Sequence, residues 1–320
     1  MATTTDPARP PSSWRRRGAS GAVRRWGSVV CLAACFGLTA ACGSSSTSGS
    51  NPPSSSGTRA ATTSLSTLLP APIRSSKTLT FATSADYPPF ESVAKNGSTI
   101  VGFDPDFGHA IGKALGVRVS FANASFDGLI PGLASGKYTA VMAGMQDKKD
   151  REKTVTFVDY MSSGSLLAVS KGNPHHISSF TDLCGSAVGV EKGTTQAAFA
   201  ASQSKTCTNN GKQPIQVKVF NSENDANLAL ASGRISAVFA ESAAQAYAVK
   251  RSAGQLQIVG PVYDKQHVGI AVPKGQDQLA KALLQATQQL IDNGTYKRLL
   301  AKWSLQAGAV PHAVVNQPLS

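Results

Sequence analysis

From Lys77 onward the sequence predicts an α/β fold with two similar lobes, on three observations. Short runs rich in β-branched and aromatic residues alternate with runs of helical spacing, the pattern of helices packed on a sheet. This alternation runs through one set of elements and then a second. The two sets echo each other, because "GKYTAV" at 136 to 141 and "GRISAV" at 233 to 238 both stand where a helix ends and a strand begins. A chain of 320 residues with 41% hydrophobic content can bury two such cores.

The elements follow in order. "TLTFAT" (78 to 83) reads as a strand, "DFGHAIGKALG" (106 to 116) as an amphipathic helix closed by a glycine, and "VRVSFA" as the next strand. "GLIPGLASG" starts a helix and "TAVMAG" is a buried strand. The second set comprises strand "SAVGVE", helix "TTQAAFAASQS", strand "IQVKVF", helix "ENDANLALASG", strand "ISAVFA" and helix "SAAQAYAVKRS". "QLQIVG" and "HVGIAVP" are further strands, and "DQLAKALLQATQQLIDNGTYKRLLAKW" is two helices split at Asn293-Gly294. A ligand between the lobes would meet strand C-termini and helix N-termini, where free backbone amides favour anions.

The N-terminus has a different logic. The net charge is +13, but Arg9, Arg15, Arg16, Arg17, Arg24 and Arg25 stand against Asp6 alone before residue 42, which leaves +8 for the remainder. Arg24 and Arg25 precede an apolar run from 26 to 41, the length of a signal-peptide core and short for a membrane span. Residues 1–41 therefore read as an export signal on the general secretory route. The run ends in "LTAACGSSS", which resembles a bacterial lipobox whose cysteine, Cys42, becomes the lipid-bearing mature N-terminus. "LAAC" at Cys35 is the rival, but cleavage there leaves a core of about six residues and an apolar "FGLTAA" on the mature chain. Residues 42–76 hold many serines and prolines and few large apolar groups, a composition that cannot offset its ordering entropy. They are expected to form the lipid anchor and a disordered tether to the outer face of the membrane.

Of five cysteines, Cys184 and Cys207 remain for the globular part. In an oxidising compartment an even pair reads first as a disulfide, with two buried thiols or a metal site as alternatives; no cluster of His, Cys or Asp nearby supports a metal.

The order "DYPPF", "GFDPDFGHAIGKALG", "FDGLIPGLASGKYTAVMAGM", "DREKTVTFVDYM", "VGVEKGTTQ", "LASGRISAVFAES", "VGIAVPKG", "NGTYKRLLAKW" resembles the family 3 extracellular solute-binding proteins, receptors of polar amino-acid ABC importers. The resemblance covers Lys77 to about Leu305 and implies a two-lobed periplasmic-binding-protein type II fold with a cleft between the lobes. It places the first lobe at 77–163 plus 267–305, the second at 167–263, and a C-terminal tail at 306–320.

An amino acid presents a carboxylate and an ammonium, so its site needs a planar cation, anion-accepting backbone and a carboxylate. In the family register Arg151 grips the ligand carboxylate, with two parallel hydrogen bonds that lysine cannot reproduce. It stands in "AGMQDKKDREKTVTF" (143 to 157), where Asp147, Lys148, Lys149, Asp150, Glu152 and Lys153 read as a solvated loop or helix start. The resemblance gives Gly144 a carbonyl for the ammonium and Gln146 a polar group toward the ligand, although many relatives carry Thr or Ser there. Thr194 and Thr195 would offer amides and hydroxyls from a helix start, and equally cap that helix. Glu241 stands where relatives have an aspartate that pairs with the ammonium. Tyr87, set by Pro88-Pro89, and Phe126 would sandwich the ligand side chain. Glu191 would favour a basic or amide-bearing amino acid.

The sequence carries no P-loop, no dinucleotide fingerprint, no G-x-S-x-G and no histidine pair at metal spacing, so neither cofactor, metal nor catalytic residue is expected. Scattered lysines on an exported chain argue against nucleic acid. The expected partners are a free amino acid, an ABC permease and the membrane, with the protein a monomer that does no chemistry. The alternatives are an enzyme on the same fold, akin to cyclohexadienyl dehydratase, or a ligand sensor for a membrane partner.

Overall fold

The computed structural model describes residues 64 to 319. The expected export signal, Cys42 and the expected tether up to residue 63 lie outside these residues.

Folded structure begins earlier than the expected end of the tether at 76. A 3-10 turn at Leu65–Leu68 leads to helix α1 (Ala71–Ser76), and Leu69 and Ile73 are buried in the core. Two apolar anchors suffice to hold a segment whose average composition is polar. Strand β1 (Thr78–Thr83) follows, then a small antiparallel sheet of β2 (Asp86–Tyr87), β3 (Glu91–Val93) and β4 (Ile100–Val101). Helix α2 (Phe103–Leu115) begins three residues before the expected 106, since Pro105 sits in the first turn where no backbone donor is needed. Asp104 and Asp106 lie at its positive end and Gly116 closes it in the left-handed region.

Next come β5 (Arg118–Asn123), α3 (Leu129–Ala134) and β6 (Ala140–Val141). β6 is shorter than "TAVMAG" because the chain turns away to reach Gly144, at φ +54°. Helix α4 (Lys149–Glu152) and the strand β7 (Val155–Ser170) follow. The second set is β8 (Ala187–Glu191), α5 (Thr195–Asn209), β9 (Gln216–Phe220), α6 (Glu223–Ala231), β10 (Ala237–Glu241) and α7 (Ser242–Arg251). The expected strands "QLQIVG" and "HVGIAVP" are the two ends of one strand, β11 (Leu256–Pro273). Helices α8 (Asp277–Asp292) and α9 (Thr295–Trp303) are split at Gly294, and β12 (Val314–Val315) is the last strand.

One sheet runs through both lobes in the order β5-β1-β6-β11-β7-β10-β8-β9, with β12 added to β7. β7 and β11 are its antiparallel spine, and their register shifts between Val259 and Tyr263, between Tyr263 and Gln266, and at Val268/Gly269. The N-terminal half of β7 buries Val158, Tyr160 and Met161 with Phe81, Phe103, Phe107 and the apolar faces of α8 and α9. Its C-terminal half buries Leu167 and Val169 with Phe180, Val188, Val190 and Phe239. Two cores on one spine make the fold two-lobed. The disulfide Cys184–Cys207 joins the residue after a 3-10 turn to helix α5 in the second core. The C-terminal tail is docked: Asn316 Oδ1 accepts from Phe157 N at 2.7 Å, and Val314 pairs with Asp159. Among the described residues no helix is long and apolar enough to cross a membrane.

Candidate functional site

Tyr87, Phe126, Gly144, Gln146, Arg151, Glu191, Thr194, Thr195 and Glu241 line one cavity where the two lobes meet. Gln196, which the sequence reading did not single out, completes the wall. It follows Thr195 in the first turn of α5, and a helix N-terminus aimed at a cleft was the signal that could have found it. The cavity holds about 10 Å³, room for about one water.

Arg151 is held from three sides. Its guanidinium lies 5.5 Å from the centre of the Phe126 ring, Nη1 donates to the Gln146 carbonyl at 2.8 Å, and Nη2 donates to the Gly193 carbonyl at 3.2 Å. Burial lowers its pKa to about 10, so it stays charged at neutral pH. Gly144 donates its N–H to Asp104 Oδ2 at 2.8 Å, while Asp104 Oδ1 accepts from the Tyr160 hydroxyl at 2.7 Å. A Cβ at Gly144 would lie 3.1 Å from Phe90 and 3.3 Å from Tyr87, and the backbone is left-handed, so glycine is required twice over. Tyr87 itself stacks on Phe90 at 5.9 Å.

The second lobe supplies the opposing wall. Thr194 caps α5, accepting from Ala197 N at 3.1 Å and donating to the Glu191 carbonyl at 2.7 Å. Thr195 donates across the cleft to Gln146 Oε1, and Gln146 Nε2 is buried without a partner among the described residues. Gln196 Nε2 donates to Ser165 Oγ on the spine at 2.8 Å. Glu241 Oε2 accepts from the amides of Ala243 and Ala244 at 3.0 and 2.9 Å, so this carboxylate caps α7 and lines the cavity together. Burial drives Glu241 up to about 7 and, with the charges of Asp86 and Asp127, Glu191 up to about 8. Two further contacts close the cleft: Lys192 Nζ lies 2.8 Å from Asp127, and Asn224 Nδ2 donates to the Asp86 carbonyl at 2.9 Å.

The charged run around Arg151 is less uniform than expected. Lys149, Asp150 and Lys153 are exposed, as a solvated helix start should be. Asp147, by contrast, is fully buried, with both carboxylate oxygens unpartnered among the described residues. The backbone explains this: Asp147 N donates to the His267 carbonyl, which ties the residue to the spine and turns its side chain inward toward Asp159 and Glu152. Lys148 does not line the cavity and pairs with Asp264 at 2.6 Å. No cluster among the described residues could hold a metal ion.

The family described as bacterial extracellular solute-binding proteins, family 3, matches residues 79 to 306. This chain belongs to it. Among family 3 relatives, the putative ABC transporter arginine-binding protein 2 of Escherichia coli (strain K12) is 36% identical over 232 residues, covering 71% of this chain and 90% of that protein. L-cystine-binding protein TcyJ of the same strain is 29% identical over 227 residues, covering 71% and 82%. Among solved structures, an ancestral arginine-binding protein bound to arginine matches with TM-score 0.65 and 37% identity, covering 71% of this chain and 98% of that one. The ancestral amino acid-binding protein AncCDT-1, a precursor of cyclohexadienyl dehydratase, matches with TM-score 0.66 and 33% identity, covering 74% of this chain and 99% of that one. The fold of this chain is therefore shared with nearly the whole length of two solved amino-acid-binding proteins.

Proposed function

We propose that this protein is the lipid-anchored receptor of an ABC importer, taking a polar amino acid with a cationic side chain, arginine foremost, into the interlobe cavity. The observation that carries the reading is Arg151 fixed opposite two buried carboxylates, Glu191 and Glu241, in one cavity. A cation for the ligand carboxylate, an acid for the α-ammonium and a second acid along the path of a basic side chain are the complement of a basic amino acid. Gly144 would turn its carbonyl to the ammonium, the Thr194 and Thr195 region would meet the carboxylate, and Tyr87 and Phe126 would flank the side chain. The names of the arginine-binding relatives support the same ligand.

A cavity of about 10 Å³ admits an amino acid only when the lobes part, so binding is coupled to hinge motion on the β7 and β11 spine. We place the hinge where the ladder loses register, with lobes at 77–163 plus 267–305 and 167–263. The closed form would present the surface that the permease reads, and ligand would act by shifting the population toward it. Cys42 would carry the lipid and the serine-rich stretch would be the leash. The protein does no chemistry in this reading.

Calorimetric titration of the purified full chain with the twenty amino acids tests it. Tightest binding of arginine or lysine is expected. Binding of none of the twenty, or of acidic amino acids alone, would overturn it.

A further inference from the structure

A groove of about 540 Å³ lies beside the cavity, walled by Asp86, Tyr87 and Pro88 of the first lobe and by α6 and α7 of the second. Tyr87 lines both spaces. On the groove side stands Glu223, which does not line the cavity. Its side chain is 5% exposed; Oε1 accepts from Asn227 Nδ2 at 3.3 Å, and Oε2 makes no close hydrogen bond among the described residues, with the Tyr87 side chain nearby as a potential donor. Capping of α6 does not explain it, because Ser222 performs that role by accepting from Asp225 N at 3.1 Å. Nor does Arg251, on the groove wall, form a salt bridge with it among the described residues. A buried carboxylate with a free oxygen is costly unless a cation reaches it.

We propose that Glu223 is the specificity-determining acid of a tail subsite in this groove, where it receives the cationic end of a long basic side chain that passes Tyr87. This rests on the basic-amino-acid reading of the cavity. The α-carboxylate and ammonium stay with Arg151, Gly144 and Glu241, and only the side chain is long enough to leave. Glu223 lies within electrostatic reach of Glu191 and Glu241, so three acids flank the path of that side chain. Burial and those two neighbouring charges hold the Glu223 carboxyl well above the usual range, which an arriving cation would reverse.

The experiment is calorimetric titration of the full chain with arginine and with citrulline, the uncharged isostere of arginine. The wild-type chain is expected to prefer arginine, and Glu223→Gln is expected to narrow that preference by about tenfold while citrulline affinity changes by less than about threefold. Leu228→Lys places a resident ammonium on the same wall at a position 64% exposed, so it tests the subsite even if Glu223→Gln does not fold. It too is expected to weaken arginine selectively. An unchanged arginine-to-citrulline ratio in the folded variants overturns the proposal and leaves the amino-acid receptor reading standing. A wild-type chain that binds neither compound overturns the reading beneath it as well.

Discussion

Arg151 Nη2 and the Gly193 carbonyl, 3.2 Å apart, join the two lobes beside the candidate ligand site, which Arg151 lines. The same guanidinium donates to Gln146 within its own lobe, so one planar cation is shared between the wall it belongs to and the wall that closes on it. A ligand carboxylate in this place would exchange those carbonyl contacts for charge-assisted ones.

Arg151→Lys is accordingly expected to weaken amino-acid binding on the order of a hundredfold, since an ammonium cannot make two parallel bonds. Lys149→Ala, at a side chain 77% exposed, should leave affinity nearly unchanged. Calorimetry on both variants checks this, and equal losses would remove the special role of Arg151.

The affinity for arginine should rise with pH between about 6 and 8. Glu191 and Glu241 are held up to about 8 and about 7, so a cationic ligand that stabilises their ionised forms must displace protons. Titration in two buffers of different protonation enthalpy counts the protons released. A count of zero would mean that neither acid faces the cation.

Asp147→Asn should stabilise the protein near pH 8 and have little effect near pH 4. Burial, then the charges of Asp159 and Glu152, raise Asp147 from 3.8 to about 8 in the folded state. The native state therefore keeps a proton that the unfolded chain has lost, and stability that is complete below pH 4 declines as pH rises toward 8. Thermal melts of both forms across this range read the difference directly.

Gly144→Ala should cost about 1–2 kcal/mol of stability, because a β-carbon must sit at positive φ and against Phe90 and Tyr87. Urea unfolding measures the cost. Ligand affinity should fall with it, since the displaced Tyr87 ring borders the cavity.

Replacing Cys184 and Cys207 together by serine should lower stability by about 3 kcal/mol, the loop-entropy value for a separation of 23 residues. Equal urea midpoints for the two proteins would show that the closed loop constrains little.

Much of this architecture was legible because its signals are local. Periodicity, Gly116 and the Asn293-Gly294 break marked elements wherever one residue decides the backbone. Arg151 came from a family register, and its neighbours Gly144, Thr194 and Thr195 followed by position. What escaped was decided by distant packing. β7 carries Ser162, Ser163, Gly164 and Ser165 in its middle, so no apolar pattern announced a strand that only β11 completes. Asp147 looked solvated among its charged neighbours until its amide was found on His267. Leu69 and Ile73 are too few to outweigh the polar stretch before them in any compositional reading. Glu223 has no sequence signal, because its importance lies in facing Tyr87 from another lobe.

The first core takes its strands from the beginning of the globular chain and much of its apolar cover from α8 and α9 near the end, with the whole second lobe inserted between them. During synthesis that core stays open until the final helices have emerged, whereas the inserted lobe has all its own strands in one stretch. If the chain crosses a secretion channel in extended form, as the expected export signal implies, late completion is useful: the larger half cannot lock shut before it has crossed.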